Sequence, residues 1–129
     1  MYDLRLLICE DEYLLASDLA MELGERGATV VGIMTSIAET LKAMDDPSMN
    51  ANAAILDVRL LDGMAFGPVA PMLAKGMAVV FRTGYGADDL PPEFAHLPSV
   101  GKPTDIDELL AVLGKAVLLT QRWECGING

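Results

Sequence analysis

Three carboxylates and one lysine stand where short apolar runs end. Glu10 and Asp11 follow Leu6-Leu7-Ile8-Cys9, Asp57 follows Ala53-Ala54-Ile55-Leu56, and Lys102 follows Ser99-Val100-Gly101. Carboxylates held within a few ångströms of one another repel unless they are protonated or neutralised by a cation. A hard divalent metal meets that need. Mg²⁺ takes oxygen ligands, usually one or two carboxylates with waters and phosphate oxygens, which suits Asp11, Asp57 and, through water, Glu10. Asp57 has a second role open to it, because an aspartate carboxylate can attack phosphorus to give an aspartyl phosphate. The metal would neutralise charge developing on the phosphoryl group in transfer. Lys102 offers a positive point charge for the product, and Thr83, after Ala78-Val79-Val80-Phe81, offers a hydroxyl to a phosphate oxygen. Each residue also has a plainer reading. Glu10-Asp11 would serve as a charge pair on a helix dipole, Asp57 and Thr83 as turn residues, and Lys102 as a surface lysine.

These residues meet only if the apolar runs become parallel strands. Uninterrupted apolar stretches of about four to eight residues, alternating with helix-period segments, read as buried strands of an α/β fold. In open α/β sheets, ligands bind beyond the carboxyl ends of the strands, which brings Asp11, Asp57 and Lys102 to one sheet edge. The strand and helix signals alternate five times, without internal repeats or a long linker. The first helix pattern sets Leu15, Leu19 and Leu23 on one face, with Gly24 or Gly27 as its stop before the strand at Thr29-Val30-Val31-Gly32-Ile33. The second opens with Ser36 and Glu39 at capping-box spacing and turns Ile37, Leu41 and Met44 inward. After Asp57, a loop holding Asp62-Gly63 leads to a helix with Phe66, Val69, Ala70 and Leu73 at helical spacing, its start limited by Pro68 and Pro71. Pro91-Pro92 and Pro98 make any fourth helix, between Ala87 and Pro98, short or irregular. Thr104 is the expected cap of a last helix striped with Ile106, Leu109, Leu110, Leu113 and Val117. The expected organisation is a single domain over residues 1–119 and a frayed tail over 120–129.

Composition narrows the function. The chain of 129 residues holds one domain with a real core. Nine Lys+Arg against nineteen Asp+Glu leave a net charge of −10, which repels phosphate backbones and anionic membranes, so neither direct nucleic-acid binding nor membrane binding is expected. Cys9 inside a strand and Cys125 near the end do not make a disulfide framework, and a reducing cytoplasm is the expected compartment. The start, Met1-Tyr2-Asp3-Leu4-Arg5, leads straight into a strand with no signal-peptide core, and no apolar stretch reaches about 18 residues. His96, the single histidine, lies among prolines and is read as solvated. The methionines read as gap-fillers of the core.

Glu10-Asp11, Asp57, Thr83 and Lys102-Pro103, in this order on βα units, resemble the receiver domain of bacterial response regulators over residues 4 to 118. The resemblance implies a flavodoxin-like five-stranded parallel sheet, strand order 2-1-3-4-5, with helices on both faces. It implies that Asp57 accepts a phosphoryl group from a phosphohistidine on a sensor histidine kinase or a phosphotransfer protein. Mg²⁺ would be held by Glu10, Asp11, Asp57 and the backbone carbonyl of Arg59. Thr83 and Lys102 would be switch residues, and the Lys102-Pro103 bond commonly cis in the family. Phe81-Arg82-Thr83-Gly84-Tyr85-Gly86 further resembles the FATGUY group of stand-alone receivers, whose motif runs Phe-Ala-Thr-Gly-Tyr and which is associated with stress signalling; Arg82 replaces its alanine.

Departures qualify the likeness. Ser99 stands where receivers usually carry an aromatic switch residue, which leaves Tyr85 either as a substitute or, on the plainer reading, as a surface loop residue with its hydroxyl in water, and Leu61 and Thr104 replace a usual proline and phenylalanine. No effector domain follows Val117, so the output is expected to be protein binding by a receiver acting alone, with an unnamed downstream protein. A homodimer through the faces of the fourth and fifth helices is open to it but not demanded. Two other readings compete. A degenerate receiver would bind partners through its surface alone. A Mg²⁺-dependent phosphohydrolase of the haloacid-dehalogenase type would need a second acid two positions after Asp57, where Arg59 stands instead.

Overall fold

The computed structural model describes residues 3–84, 90–102 and 105–128, with side chains as far as residue 120. Tyr85, Pro103, Thr104 and the side chains of Trp123 and Cys125 lie outside the described residues. The elements run β1 (Arg5–Cys9), α1 (Tyr13–Glu25), β2 (Thr29–Met34), α2 (Ile37–Met44), β3 (Ala53–Asp57), β4 (Arg59–Leu60), β5 (Gly63–Met64), α3 (Val69–Ala74), β6 (Ala78–Thr83), a 3₁₀ turn (Pro92–Phe94), β7 (Ser99–Gly101) and α4 (Ile106–Asn128). Five strands form one sheet in the order β2-β1-β3-β6-β7, all paired in parallel. This is the expected order, with the strand count raised by a two-stranded antiparallel hairpin, β4-β5, inside the loop after Asp57.

Continuous apolar runs are needed because both faces of the sheet are covered. Along β1, β3 and β6, alternate residues enter opposite cores. Leu6, Ile8, Ile55 and Val80 pack beneath α1 and α4 with Leu19, Leu23, Leu109 and Leu113. Leu7, Cys9, Leu56, Val79 and Phe81 pack beneath α2 and α3 with Met44, Val69 and Met72. The glycine stops work through left-handed backbone. Gly27 (φ 97°) follows α1, with Gly27 N–H donating to Gly24 and Ala28 N–H to Leu23; Gly76 (φ 81°) follows α3, with Gly76 N–H donating to Leu73 and Met77 N–H to Met72. Both are full Schellman closures, and they select Gly27 over Gly24 as the stop of the first helix.

Several helix faces differ from the expected ones. Leu15 is exposed, and α1 buries Ala16, Leu19 and Leu23. Leu41 is exposed, and α2 buries Thr40, Ala43 and Met44. Ala70 and Leu73 are exposed, while Val69 and Met72 face the core and Phe66 precedes the helix. The physical reason is shared: these helices are short and amphipathic on more than one side, so the angle at which each meets the sheet, and not apolar spacing, chooses the buried stripe. The stripe expected on the last helix is inward as read. That helix continues to Asn128, past the fraying expected from Thr120. Its N-terminal cap is made by Asp105, whose carboxylate accepts the Glu108 N–H at 3.1 Å.

Between β6 and β7 the 3₁₀ turn is the only helical element among the described residues, as the prolines implied. Phe94 of that turn stacks on Phe66 (5.8 Å between ring centroids) and lies 6.3 Å from Phe81, which meets Phe66 edge-on at 6.1 Å. Three aromatic rings thus pin an otherwise irregular segment to the strand that ends in Thr83.

The corrected face of α3 is directly testable. Met72→Ala is expected to lower unfolding stability by about 2–5 kcal/mol, and Leu73→Ala by less than about 1 kcal/mol, in urea titrations. The reverse ranking would return Leu73 to the core.

Candidate functional site

The parallel sheet delivers the four marked positions to one edge. Glu10 follows the last residue of β1, Asp57 ends β3, Thr83 ends β6, and Lys102 follows β7. Two backbone bonds fix their heights: Glu10 N–H donates to Met34 at 2.9 Å, and Lys102 N–H donates to the Thr83 carbonyl at 2.9 Å. A cleft of about 550 Å³ opens there, lined by Asp11, Asp57, Arg59, Arg82, Thr83 and Lys102 among others. One carboxylate oxygen from each of Glu10, Asp11 and Asp57 lies within 4.8 Å of the other two. Glu10, Asp57 and Thr83 are buried, at 1%, 2% and 3% exposure.

The ammonium of Lys102 holds this cluster together. Its Nζ donates to Asp57 Oδ2 at 2.7 Å and to Glu10 Oε2 at 3.2 Å. Glu10 Oε1 accepts the Glu12 N–H at 3.2 Å, which anchors the acid to the start of α1. Burial, the largest influence on Asp57, raises its carboxyl, and its contact with Glu10 raises it further against the pull of Lys102, so it is pushed up to about 8. Burial also acts to raise Glu10. Hydrogen bonds from Asp57, Asp11 and the Glu12 amide, with the Lys102 charge, outweigh it and hold Glu10 down to about 2. Two buried acids in contact cannot both ionise cheaply, so the pair retains one proton well above the usual carboxylate range. Asp11 is raised by burial and by Glu10. Lys102 is raised: burial works against its charge, and Asp57 and Glu10 overcome it.

The donor set fits a hard divalent cation. All ligand atoms are carboxylate oxygens, and Asp57 Oδ1 is buried with no hydrogen-bond partner among the described residues. An orphaned buried acceptor on one of three clustered carboxylates is an environment in which a bound cation replaces the lost solvation. Arg59 lies on β4, opposite Met64, and borders the cleft.

Two contributors were not marked as site residues in the sequence. Arg82, one residue before Thr83, reaches Glu10 Oε2 with Nη1 at 3.5 Å. The signal for it was a charged side chain inside an apolar strand run. Asp62, read only as a loop residue, caps α2: Oδ1 accepts the Ile37 N–H at 2.6 Å and Oδ2 the Ala38 N–H at 3.1 Å. With Leu61 N–H donating to the Thr35 carbonyl at 3.2 Å, this ties the Arg59 loop to the N-terminus of α2. No local pattern announces a cap supplied from 24 residues away.

Comparison with known proteins decides the family. No protein-family model matches the sequence, and no curated protein does. Among solved structures, SdrG from Sphingomonas melonis Fr1 is 32% identical with a TM-score of 0.76, over 92% of this chain and 99% of that one. A CheY-like response regulator receiver domain protein from Methanospirillum hungatei JF-1 is 21% identical with a TM-score of 0.75, over 94% and 98% of the two chains. This chain belongs to the response-regulator receiver family. A third receiver-like structure, a response regulator from Burkholderia pseudomallei bearing a phosphorylated aspartic acid, a calcium ion and citrate, has a TM-score of 0.72 at 20% identity, over 98% of this receiver and 76% of that chain.

The raised Asp57 carboxyl makes the metal-free receiver pH-sensitive. A folded-state value of about 8 against the ordinary 3.8 gives stabilisation that is full below 3.8 and lost as pH climbs through 8. Glu10, held down to about 2 from 4.5, loses its contribution as pH falls from 4.5 to 2, which touches only the lowest edge of that window. In chelator, Asp57→Asn is therefore expected to melt higher than wild type, with a gain that grows between pH 4 and 8 to about 1–3 kcal/mol. A gain that stays flat across this range would sink the retention of a proton by the Glu10–Asp57 pair.

Proposed function

We propose that this receiver accepts a phosphoryl group on Asp57 from the phosphohistidine of a sensor histidine kinase or a phosphotransfer protein, and signals by changing its affinity for a protein partner. The observation that carries the reading is the division of labour on Asp57: Oδ2 is held by Lys102 at 2.7 Å, while Oδ1 is buried with no hydrogen-bond partner among the described residues, in a carboxylate that lies within 4.8 Å of those of Glu10 and Asp11. In the proposed step a carboxylate oxygen of Asp57 forms the bond to phosphorus, the P–N bond breaks, and its electron pair leaves with the imidazole. Mg²⁺, when bound by the Glu10, Asp11 and Asp57 carboxylates and the Arg59 carbonyl, would supply the positive charge that offsets the transferring phosphoryl group. Lys102, already at the carboxylate, presents its ammonium to the product, and the Thr83 hydroxyl serves a phosphoryl oxygen. The Burkholderia structure supports this reading, because a chain of the same fold carries both a phosphorylated aspartate and a divalent cation.

The output follows from charge. Phosphorylation replaces one carboxylate charge with a group of about −2 bearing three acceptor oxygens. Thr83 sits two residues from Phe81, whose ring packs on Phe94 of the 3₁₀ turn, so a shift of Thr83 would be felt by the irregular segment before β7 and by the adjoining face of α4. We take that surface as the one read by the partner, in the cytoplasm, with the receiver acting as a signalling protein and not on a separate substrate. Among the described residues no helix is long and apolar enough to cross a membrane. Phosphohydrolase chemistry is disfavoured, because the position two after Asp57 is Arg59 and no second acid stands there.

Intact mass after incubation with a small-molecule phosphodonor and Mg²⁺ tests the reading. One phosphoryl addition is expected, absent from Asp57→Asn and from a sample with chelator. If neither the small donor nor a phosphorylated histidine kinase or phosphotransfer domain adds mass, the phosphoacceptor reading falls.

A further inference from the structure

Arg82 is the residue of the cleft that the proposed reaction leaves without a task. It lies on β6 between Phe81, which enters the core beneath α2 and α3, and Thr83, so strand alternation turns it to the α1 side, where Glu10 also projects. Its Cα partners across the sheet are Asp57 on one side and Val100 on the other. The side chain is 13% exposed, and Nη1 stands 3.5 Å from the same Glu10 oxygen that Lys102 holds at 3.2 Å. Nε is buried without a hydrogen-bond partner among the described residues. A guanidinium brings five donors in a rigid fork, and little of that capacity is used by a single contact at the outer limit of hydrogen-bond distance. Packing gives no reason for a cation here, since the four strand residues before it, Ala78 to Phe81, are buried and apolar.

Charge counting shows what it does. With every carboxyl ionised, as metal binding requires, Glu10, Asp11 and Asp57 contribute −3 and Lys102 +1, which leaves −2 to match a divalent cation. Arg82 changes that sum to −1, so loading a divalent cation leaves an excess of +1. The cation must also draw Glu10 away from the guanidinium. Once Asp57 carries a group of about −2, the same five residues with the metal sum to about zero. Without Arg82 they would sum to about −1.

We propose that Arg82 is an internal competitor for the divalent cation: it occupies Glu10 in the resting receiver, weakens Mg²⁺ binding to the unphosphorylated cleft, and so reserves tight metal binding for the phosphorylated state. The inference rests on the reading of this cleft as a Mg²⁺-dependent phosphoacceptor site. It concerns the resting protein, so it can be tested without phosphorylation.

Calorimetric titration of Mg²⁺ into the unphosphorylated full chain reads it directly. Arg82→Met keeps the aliphatic stem and removes the charge, and is expected to bind Mg²⁺ about tenfold more tightly than wild type, while Arg82→Lys stays near wild type. The rise in melting temperature on adding Mg²⁺ is expected to be larger for Arg82→Met than for wild type. Arg82→Gln provides the same comparison if the methionine variant does not fold. Binding by wild type that is equal to or tighter than that of the uncharged variants overturns the competitor role and leaves the phosphoacceptor reading standing. Absence of Mg²⁺ binding from all of them overturns both. Binding by the uncharged variants alone supports the competitor role in its strongest form.

Discussion

The contact on which the site depends is the one between the Lys102 ammonium and the two buried acids, Glu10 and Asp57. Three carboxylates at the end of a sheet would push its strands apart or draw in water. A cation 2.7 Å from one and 3.2 Å from another makes their burial tolerable. That cation comes from β7, the shortest strand of the sheet and the last to join it, which is tied to β6 by the Lys102 to Thr83 backbone bond. Closing the sheet and neutralising the cleft are therefore the same event. Removing Lys102 would leave uncompensated charge in the interior, and this explains why a residue about one-third exposed can govern two that are not exposed at all.

Around this contact the receiver departs from its family in a connected way. Ser99 replaces an aromatic on β7, and aromatic packing gathers instead around its β6 register partner Phe81, with Phe66 and Phe94. That cluster holds down the proline-rich segment, which forms only a 3₁₀ turn among its described residues. A segment held by side-chain packing and a single 3₁₀ turn, and not by a sheet or long-helix ladder, is the kind that local opening draws on. Beside it, Arg82 adds a second positive charge to a cleft whose acids already have one. The relay surface and the charge balance thus differ from the family pattern on two adjacent strands, Ser99 on β7 and Arg82 on β6.

On the opposite flank, Asp62 performs a task that belongs to no single element. By accepting two backbone N–H groups of α2 it joins the loop that carries Arg59 to the helix beyond β2. The acidic side chain here is structural, although it lies close in sequence to a cluster of acids with another use. Its role rests on direction: its oxygens point at a helix N-terminus and not at the cleft.

From sequence alone came the five strands of the main sheet, their parallel character and the residues at their ends; their order came through the likeness to receivers, and the β4-β5 hairpin was not foreseen. Runs such as Leu6 to Cys9 and Ala53 to Leu56 are apolar on both faces, which only a doubly covered sheet can bury, and residues just past such strands must share an edge. A glycine stop for α1, at Gly24 or Gly27, and the cap at Ser36 were legible because their chemistry is local, and the structure chose Gly27. Tertiary structure alone decided which sides of α1, α2 and α3 are buried, since Leu15, Leu41 and Leu73 satisfy helical spacing yet face solvent once each helix has taken its angle on the sheet. It alone decided that Asp62 caps α2 and that Arg82 meets Glu10, because both contacts join residues distant in the chain, through side-chain directions that exist only when the strands are assembled.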